Sequence, residues 1–157
     1  MTDPCGARDA AIDDLDAVAE LARSFIADLR PQRGGEMWAV STARTEPVTD
    51  RLREEILSPR TLVVVGEYLS AIVGYAVAVL DTTTDGRIHA RITDLFTLEK
   101  ARHVGVGEAM MTRCLDWART QHASSVDAMV LPGTRDAKNF FEGFGFTARA
   151  LTVNRPL

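Results

Sequence analysis

The segment Arg102-His103-Val104-Gly105-Val106-Gly107 constrains this chain more than any other. It follows a strand pattern, Arg87 to Leu98, and opens a long helix in which Val106, Met110, Met111, Cys114, Leu115 and Ala118 recur at core spacing to about His122. Glycines at 105 and 107 let backbone N–H groups approach a ligand with no Cβ in the way. Those N–H groups sit at a helix N-terminus, whose dipole favours an anion, so a pyrophosphate is the natural occupant. Arg102 adds a positive charge and can also act through its backbone. The competing reading is a bare strand-to-helix turn. A dinucleotide fingerprint fits poorly, because Met110 stands at its third glycine and no ribose-binding acid follows in place. A Walker loop would need a Gly-Lys-Ser/Thr that is not there.

The remaining elements place this loop in a sheet. Ile12 to Leu29 has helical periodicity, with Asp13, Asp14 and Asp16 near its start and Pro31 beyond its end. Arg30 to Pro47 shows no sustained period and reads as a loop. Thr49 caps a second helix running to Leu57. Thr61 to Glu67, Ala71 to Leu80 and Arg87 to Leu98 form an antiparallel meander joined by turns at Tyr68–Ser70 and Asp81–Gly86. After the long helix come a strand at Val126 to Leu131, a short helix at Asp136 to Gly143, and a last strand or strands within Phe144 to Val153. The order ααβββαβαβ predicts one domain over residues 1–157, an α/β mixed sheet with helices on both faces, and a mobile segment 1–10.

Composition excludes several classes. A net charge of −4 speaks against a nucleic-acid binder. The most apolar run, Ala71 to Leu80, is about half the length of a spanning helix, and the N-terminus lacks the pattern of a signal peptide. Two cysteines, Cys5 and Cys114, supply neither a disulfide framework nor a metal site. The expectation is a cytoplasmic protein without metal and without membrane or nucleic-acid partners.

Arg102-x-x-Gly105-x-Gly107, preceded by Ile92-Thr93-Asp94-Leu95-Phe96-Thr97-Leu98, resembles the acyl-CoA signature of the GNAT superfamily of N-acetyltransferases. Ala137-x-x-Phe140-Phe141-x-x-x-Gly145-Phe146 resembles that family's second signature, usually A-x-x-F-Y-x-x-x-G-F, at the expected separation. The resemblance implies a GNAT-like fold with a splayed central pair of strands and acetyl-CoA as co-substrate. It places the pantetheine arm along the strand edge at Phe96, Thr97 and Leu98, with a backbone N–H of Thr97 or Leu98 polarising the thioester carbonyl. Arg102, His103, Val104, Gly105, Val106, Gly107 and Glu108 would hold the pyrophosphate, with Thr134, Lys138 and Phe141 nearby. Thr134 stands where the family often has Asn. Lys138 reads either as a phosphate contact or as a solvated helix position.

The catalytic positions depart from the family. Its usual base, a Glu on the strand before the loop, falls on Thr93, and the usual acid, a Tyr, falls on Phe141. Neither ionises. Strand alternation turns Asp94 away from Thr93, toward a structural role, and puts Arg91 and His89 on Thr93's face. Arg91 could hold an anionic substrate group. His89 titrates in a useful range but reads more readily as a surface residue. Tyr75 reads as a packed aromatic. The acceptor site falls to the Arg30–Pro47 loop, including Met37 and Trp38, with the second helix. Two readings follow: an N-acetyltransferase that aligns a small-molecule primary amine with the thioester while water carries protons, or a non-catalytic acyl-CoA-binding module. A homodimer through a sheet edge or the Trp38 loop stays open.

Overall fold

Alternation along the two central strands supplies this protein with a core on each face of its sheet. The computed structural model describes residues 3–157. Successive side chains of a strand point to opposite faces. In β2 (Thr61–Tyr68), Leu62 and Val64 therefore face one way and Val63 and Val65 the other. In β3 (Ala71–Thr82), Ala76 and Ala78 join the first set, Tyr75 and Val77 the second. The first face is covered by α4 (Val106–Thr120) through Val106, Met110, Met111 and Cys114. The second is covered by α1 (Leu15–Leu29) and α3 (Val48–Leu57), through Val18, Ala22, Val48 and Leu52. A Cβ on Gly66 would lie 2.5 Å from Val106 Cγ1, so α4 rests directly on β2 backbone.

The sheet has five strands in the order β1-β2-β3-β4-β5, with β1 at Cys5–Asp9, β4 at Ile88–Thr97 and β5 at Val126–Ala128. The first three pairings are antiparallel, and β4–β5 is parallel. The mixed sheet with helices on both faces matches expectation, and three boundaries differ.

First, Cys5–Asp9 is an edge strand, β1, rather than a mobile segment. It is pinned by Arg8, whose guanidinium donates to both carboxylate oxygens of Asp14, at 2.7 and 3.0 Å, and to Glu67 at 3.0 Å. Five residues are too few to show a period in the sequence. Met1 and Thr2 lie outside the described residues. Second, a short helix α2 (Gly35–Ser41) sits in the Arg30–Pro47 loop, and α3 starts at Val48, one residue before the expected cap.

Third, β5 ends at Ala128, and Phe144–Val153 forms no strand. Pairing between β4 and β5 covers only Ala90–Ile92 against Val126–Ala128. Beyond it the strands part. Phe144 and Phe146 pack against the α4 core beside α5 (Arg135–Gly143), so their apolar signal belongs to helix packing.

Candidate active site

The parting of β4 from β5 leaves one edge of β4 unpaired from Thr93 onward. Leu98 donates its N–H to the Val73 carbonyl, at 2.8 Å, on the β3 side. Backbone direction alternates along a ladder, so the neighbouring Thr97 N–H points to the open side. This narrows the expected pair of donors to Thr97. The Thr97 carbonyl, on that same side, accepts from Arg102 Nε at 3.0 Å.

Past β4 the chain turns through His103, at φ 65°, and Gly105, at φ 100°, a region that favours glycine. Cys5 Sγ donates to the Val104 carbonyl at 2.6 Å and ties this loop to β1. The first bond closing α4 runs from Ala109 N–H to the Gly105 carbonyl. No side chain caps the helix, so the N–H groups of Val106, Gly107 and Glu108 lack a partner among the described residues. A Cβ on Gly107 would lie 3.4 Å from Phe140 Cε2 and 3.9 Å from Thr97 Oγ1. The loop is thus closely backed by α5, and the helix N-terminus adjoins the open edge of β4. These features fit a pyrophosphate with an extended arm.

The Arg102 side chain folds away from the loop. Besides Thr97 it meets Asp28 at 3.1 Å and lies over the Phe96 ring, 5.8 Å from its centroid. On α5, Phe141 packs against Phe140 and Phe146, at 5.6 and 5.4 Å between centroids. Thr134 Oγ1 donates to the Leu131 carbonyl, and the exposed Lys138 pairs with Glu142 at 3.4 Å.

On the opposite face of β4 from α4 is a cavity of about 360 Å³, lined among others by Trp38, Arg44, Arg51, Glu55, Thr93 and Asp94. Thr93 and Asp94 both reach it, against expectation. Val77 pairs with Asp94 but Ala78 pairs with Ile92, so Thr93 is the extra residue of a β-bulge. The bulge reverses alternation along β4: Ile92 faces α4, whereas Phe96, also even-numbered, faces α1. Asp94 is thereby turned toward the cavity.

Once there, Asp94 is fully engaged. Its Oδ1 accepts from Arg44 Nη2 at 2.9 Å and Thr93 Oγ1 at 2.7 Å; its Oδ2 accepts from Tyr75 Oη at 2.6 Å and Arg44 Nε at 3.2 Å. Four donors match the four lone-pair sites of a carboxylate. Arg44 Nη1 also donates to Glu55, at 2.5 Å, and Arg51 Nε donates to the other Glu55 oxygen at 3.1 Å. Burial opposes charge on Arg44, but Asp94 and Glu55 outweigh it and raise its pKa above the ordinary arginine value. Burial, then Asp94, raises Tyr75 well above the usual phenol range.

Trp38 is buried at the cavity wall, edge-on to Phe25 at 5.5 Å, whereas its neighbour Met37 is 57% exposed and is not brought to the cavity. Arg91 lines it and pairs with Asp81 at 2.5 Å. The guanidinium holds the Asp81 carboxyl below its usual range. His89 lies outside this lining. Its Nδ1 is 2.8 Å from Ser125 Oγ, and its Nε2 is 3.1 Å from Asp127 without hydrogen-bond alignment. Among the described residues, no group of three or more His, Cys, Asp or Glu is placed to hold a metal.

Sequence reasoning missed Arg44, Arg51 and Glu55. Arg51 and Glu55 stand at the i,i+4 spacing of a helical ion pair, which was a readable signal. Arg44 had none, because its partners lie 11 and 50 residues away.

The fold is thus that of an α/β protein whose sheet opens between two parallel strands, beside an uncapped helix N-terminus. The chain belongs to the acetyltransferase (GNAT) family, whose model matches residues 22–146, and is thus of an acyltransferase family. No curated protein matches it significantly. Solved structures share the fold. A tetramutant of a Bacillus halodurans protein superposes with a TM-score of 0.80 at 20% identity, covering 96% of this chain and 99% of that one. An aminoglycoside acetyltransferase from an uncultured soil metagenomic sample, in complex with trehalose, gives 0.74 at 17%, covering 98% and 95%. A transcriptional regulator from Bacillus halodurans C-125 gives 0.73 at 18%, covering 98% and 99%. Such neighbours share architecture and differ in role.

Proposed function

We propose that the protein transfers an acetyl group from acetyl-CoA to a primary amine of a small molecule, by direct attack in a ternary complex. The observation that carries this reading is the uncapped α4 N-terminus, at Val106, Gly107 and Glu108, next to the open edge of β4 at Thr97. Backbone N–H groups at the helix start would take the pyrophosphate. The loop residues Arg102 to Gly105 would shape the turn, since the Arg102 side chain is engaged with Thr97 and Asp28 and its N–H with the Glu99 carbonyl. Lys138, exposed on α5, is free to swing from Glu142 to a phosphate.

Acetyl-CoA supplies an activated thioester. The Thr97 N–H would donate to its carbonyl oxygen, an interaction that strengthens as negative charge builds there. The amine nitrogen attacks the carbonyl carbon, the C–N bond forms and the C–S bond breaks. Sulfur leaves as thiolate and takes up the proton that the amine loses. With Thr93 and Phe141 non-ionisable and every lone-pair site of Asp94 engaged, water is the proton carrier, and alignment supplies the rate. A thiol's pKa of about 8.5 makes the thiolate a tolerable leaving group. The cavity's size suits a small acceptor. Two unbridged cysteines agree with a reducing, cytoplasmic setting.

The same missing acid and base favour a second reading, a non-catalytic acyl-CoA-binding module. Calorimetric titration with acetyl-CoA and CoA, beside a dinucleotide control, tests what the two share. Micromolar binding of the CoA pair alone is expected; no binding overturns both. Release of free thiol with an amine panel then separates them, since a binding module would release none.

A further inference from the structure

The cavity's charges have unequal access to solvent. Its two carboxylates, Glu55 and Asp94, have side chains only 9% exposed and are matched by Arg44, equally buried, and by Arg51. The exposed charges on its wall are both cationic: Arg51, 67% exposed, and Arg91, 49%. Asp81, which pairs with Arg91, lies outside the lining. Arg51 uses only Nε; its Nη1 and Nη2 have no partner among the described residues. An incoming ligand therefore meets a guanidinium fork with free donors and no free carboxylate. That surface offers a polycation no free carboxylate and matches a planar carboxylate, which a fork can hold with two parallel hydrogen bonds. On the same cavity wall, Ile26, Trp38 and Val79 offer apolar surface.

We infer that the acceptor is an amine bearing a carboxylate, of the amino-acid type, and that Arg51, assisted by Arg91, selects it. This rests on the acetyltransferase reading and narrows its substrate. It also separates this protein from an enzyme for polycationic aminoglycosides, although several structural neighbours carry that name.

The test uses the full chain and a matched series: a carboxylated amine with an apolar side chain, its primary amide, and an aminoglycoside. Acetyl-CoA binding is first established by calorimetry, so failure of the acyl-CoA reading is seen separately. Free-thiol release should then favour the carboxylate over the amide by about tenfold or more in kcat/KM, the order expected of a hydrogen-bonded charge. Arg51→Gln should bring that ratio close to one, mainly by raising KM for the carboxylate, and Arg51→Lys should restore part of it. Arg51 is an exposed helix residue, so these variants should fold. If acetyl-CoA binds but the amide or the aminoglycoside is used as well as the carboxylate, the inference is wrong. It is equally wrong if no carboxylated amine is turned over, or if Arg51→Gln lowers all acceptors alike.

Discussion

Arg44 shows how one side chain can tie together two elements at the wall of a cavity. It sits between Glu55 of α3 and Asp94 of β4, nearly excluded from water; Glu55 shares it with Arg51, whereas Asp94 has no other cationic partner among the described residues. Removing Arg44 leaves Asp94 buried without a counter-charge, a loss of about 3–5 kcal/mol. Arg44→Leu is therefore expected to lower unfolding stability by about that amount in urea denaturation. A change within about 0.5 kcal/mol, the range of an ordinary surface substitution, would mean that water replaces the guanidinium. The same network explains Asp94. It stands beside the position usually held by the catalytic base, yet all four lone-pair sites are occupied, so it positions Thr93 and the bulge. Cys114 is equally unavailable for chemistry, its thiol pushed up to about 12 by burial.

At the scale of elements, the site is a junction of three: the open edge of β4, the start of α4 and the Phe140 face of α5. Gly107 lies where they meet. A valine there would press against Phe140 and fill the approach to the helix N–H groups, while φ at this position stays helical. Gly107→Val is thus expected to weaken acetyl-CoA binding by about tenfold or more, a loss of about 1.4 kcal/mol, with the circular dichroism spectrum retained. Unchanged affinity by calorimetry would remove the pyrophosphate from this loop. The edge strand β1 adds a tie from outside, since Cys5 holds the Val104 carbonyl and Arg113 of α4 reaches Asp9 at 2.8 Å.

Over the whole molecule, arginine–aspartate pairs tie neighbouring elements together. Asp14 is held by Arg8, Asp81 by Arg91 and Asp127 by Arg149, and in each the arginine hydrogen bond is the leading cause of a carboxyl pKa below its usual range. A depressed folded-state pKa gives stability that is present above the unfolded value of about 3.9 and is lost as pH falls through the folded value. The urea midpoint should therefore fall below about pH 4. Asp14→Asn should lie below the native protein at neutral pH and converge with it in acid. Parallel curves over the whole range would show that Asp14 contributes nothing through ionisation.

The sequence by itself determined the order of most elements, the two-sided core and the glycine loop, because alternation, helical period and glycine content act locally. It also identified Thr93 and Phe141 as non-ionisable positions, since that depends only on residue type. Tertiary structure alone decided the rest. The five-residue β1 is a strand because β2 offers it an edge. The bulge at Thr93 exists only as a mismatch of register with β3, and it alone turns Asp94 into the cavity. Arg44 acquires its role from two carboxylates that no spacing rule connects to it. The length of β5 and the irregular chain after α5 follow from where β4 and β5 cease to pair, which is a property of two strands at once.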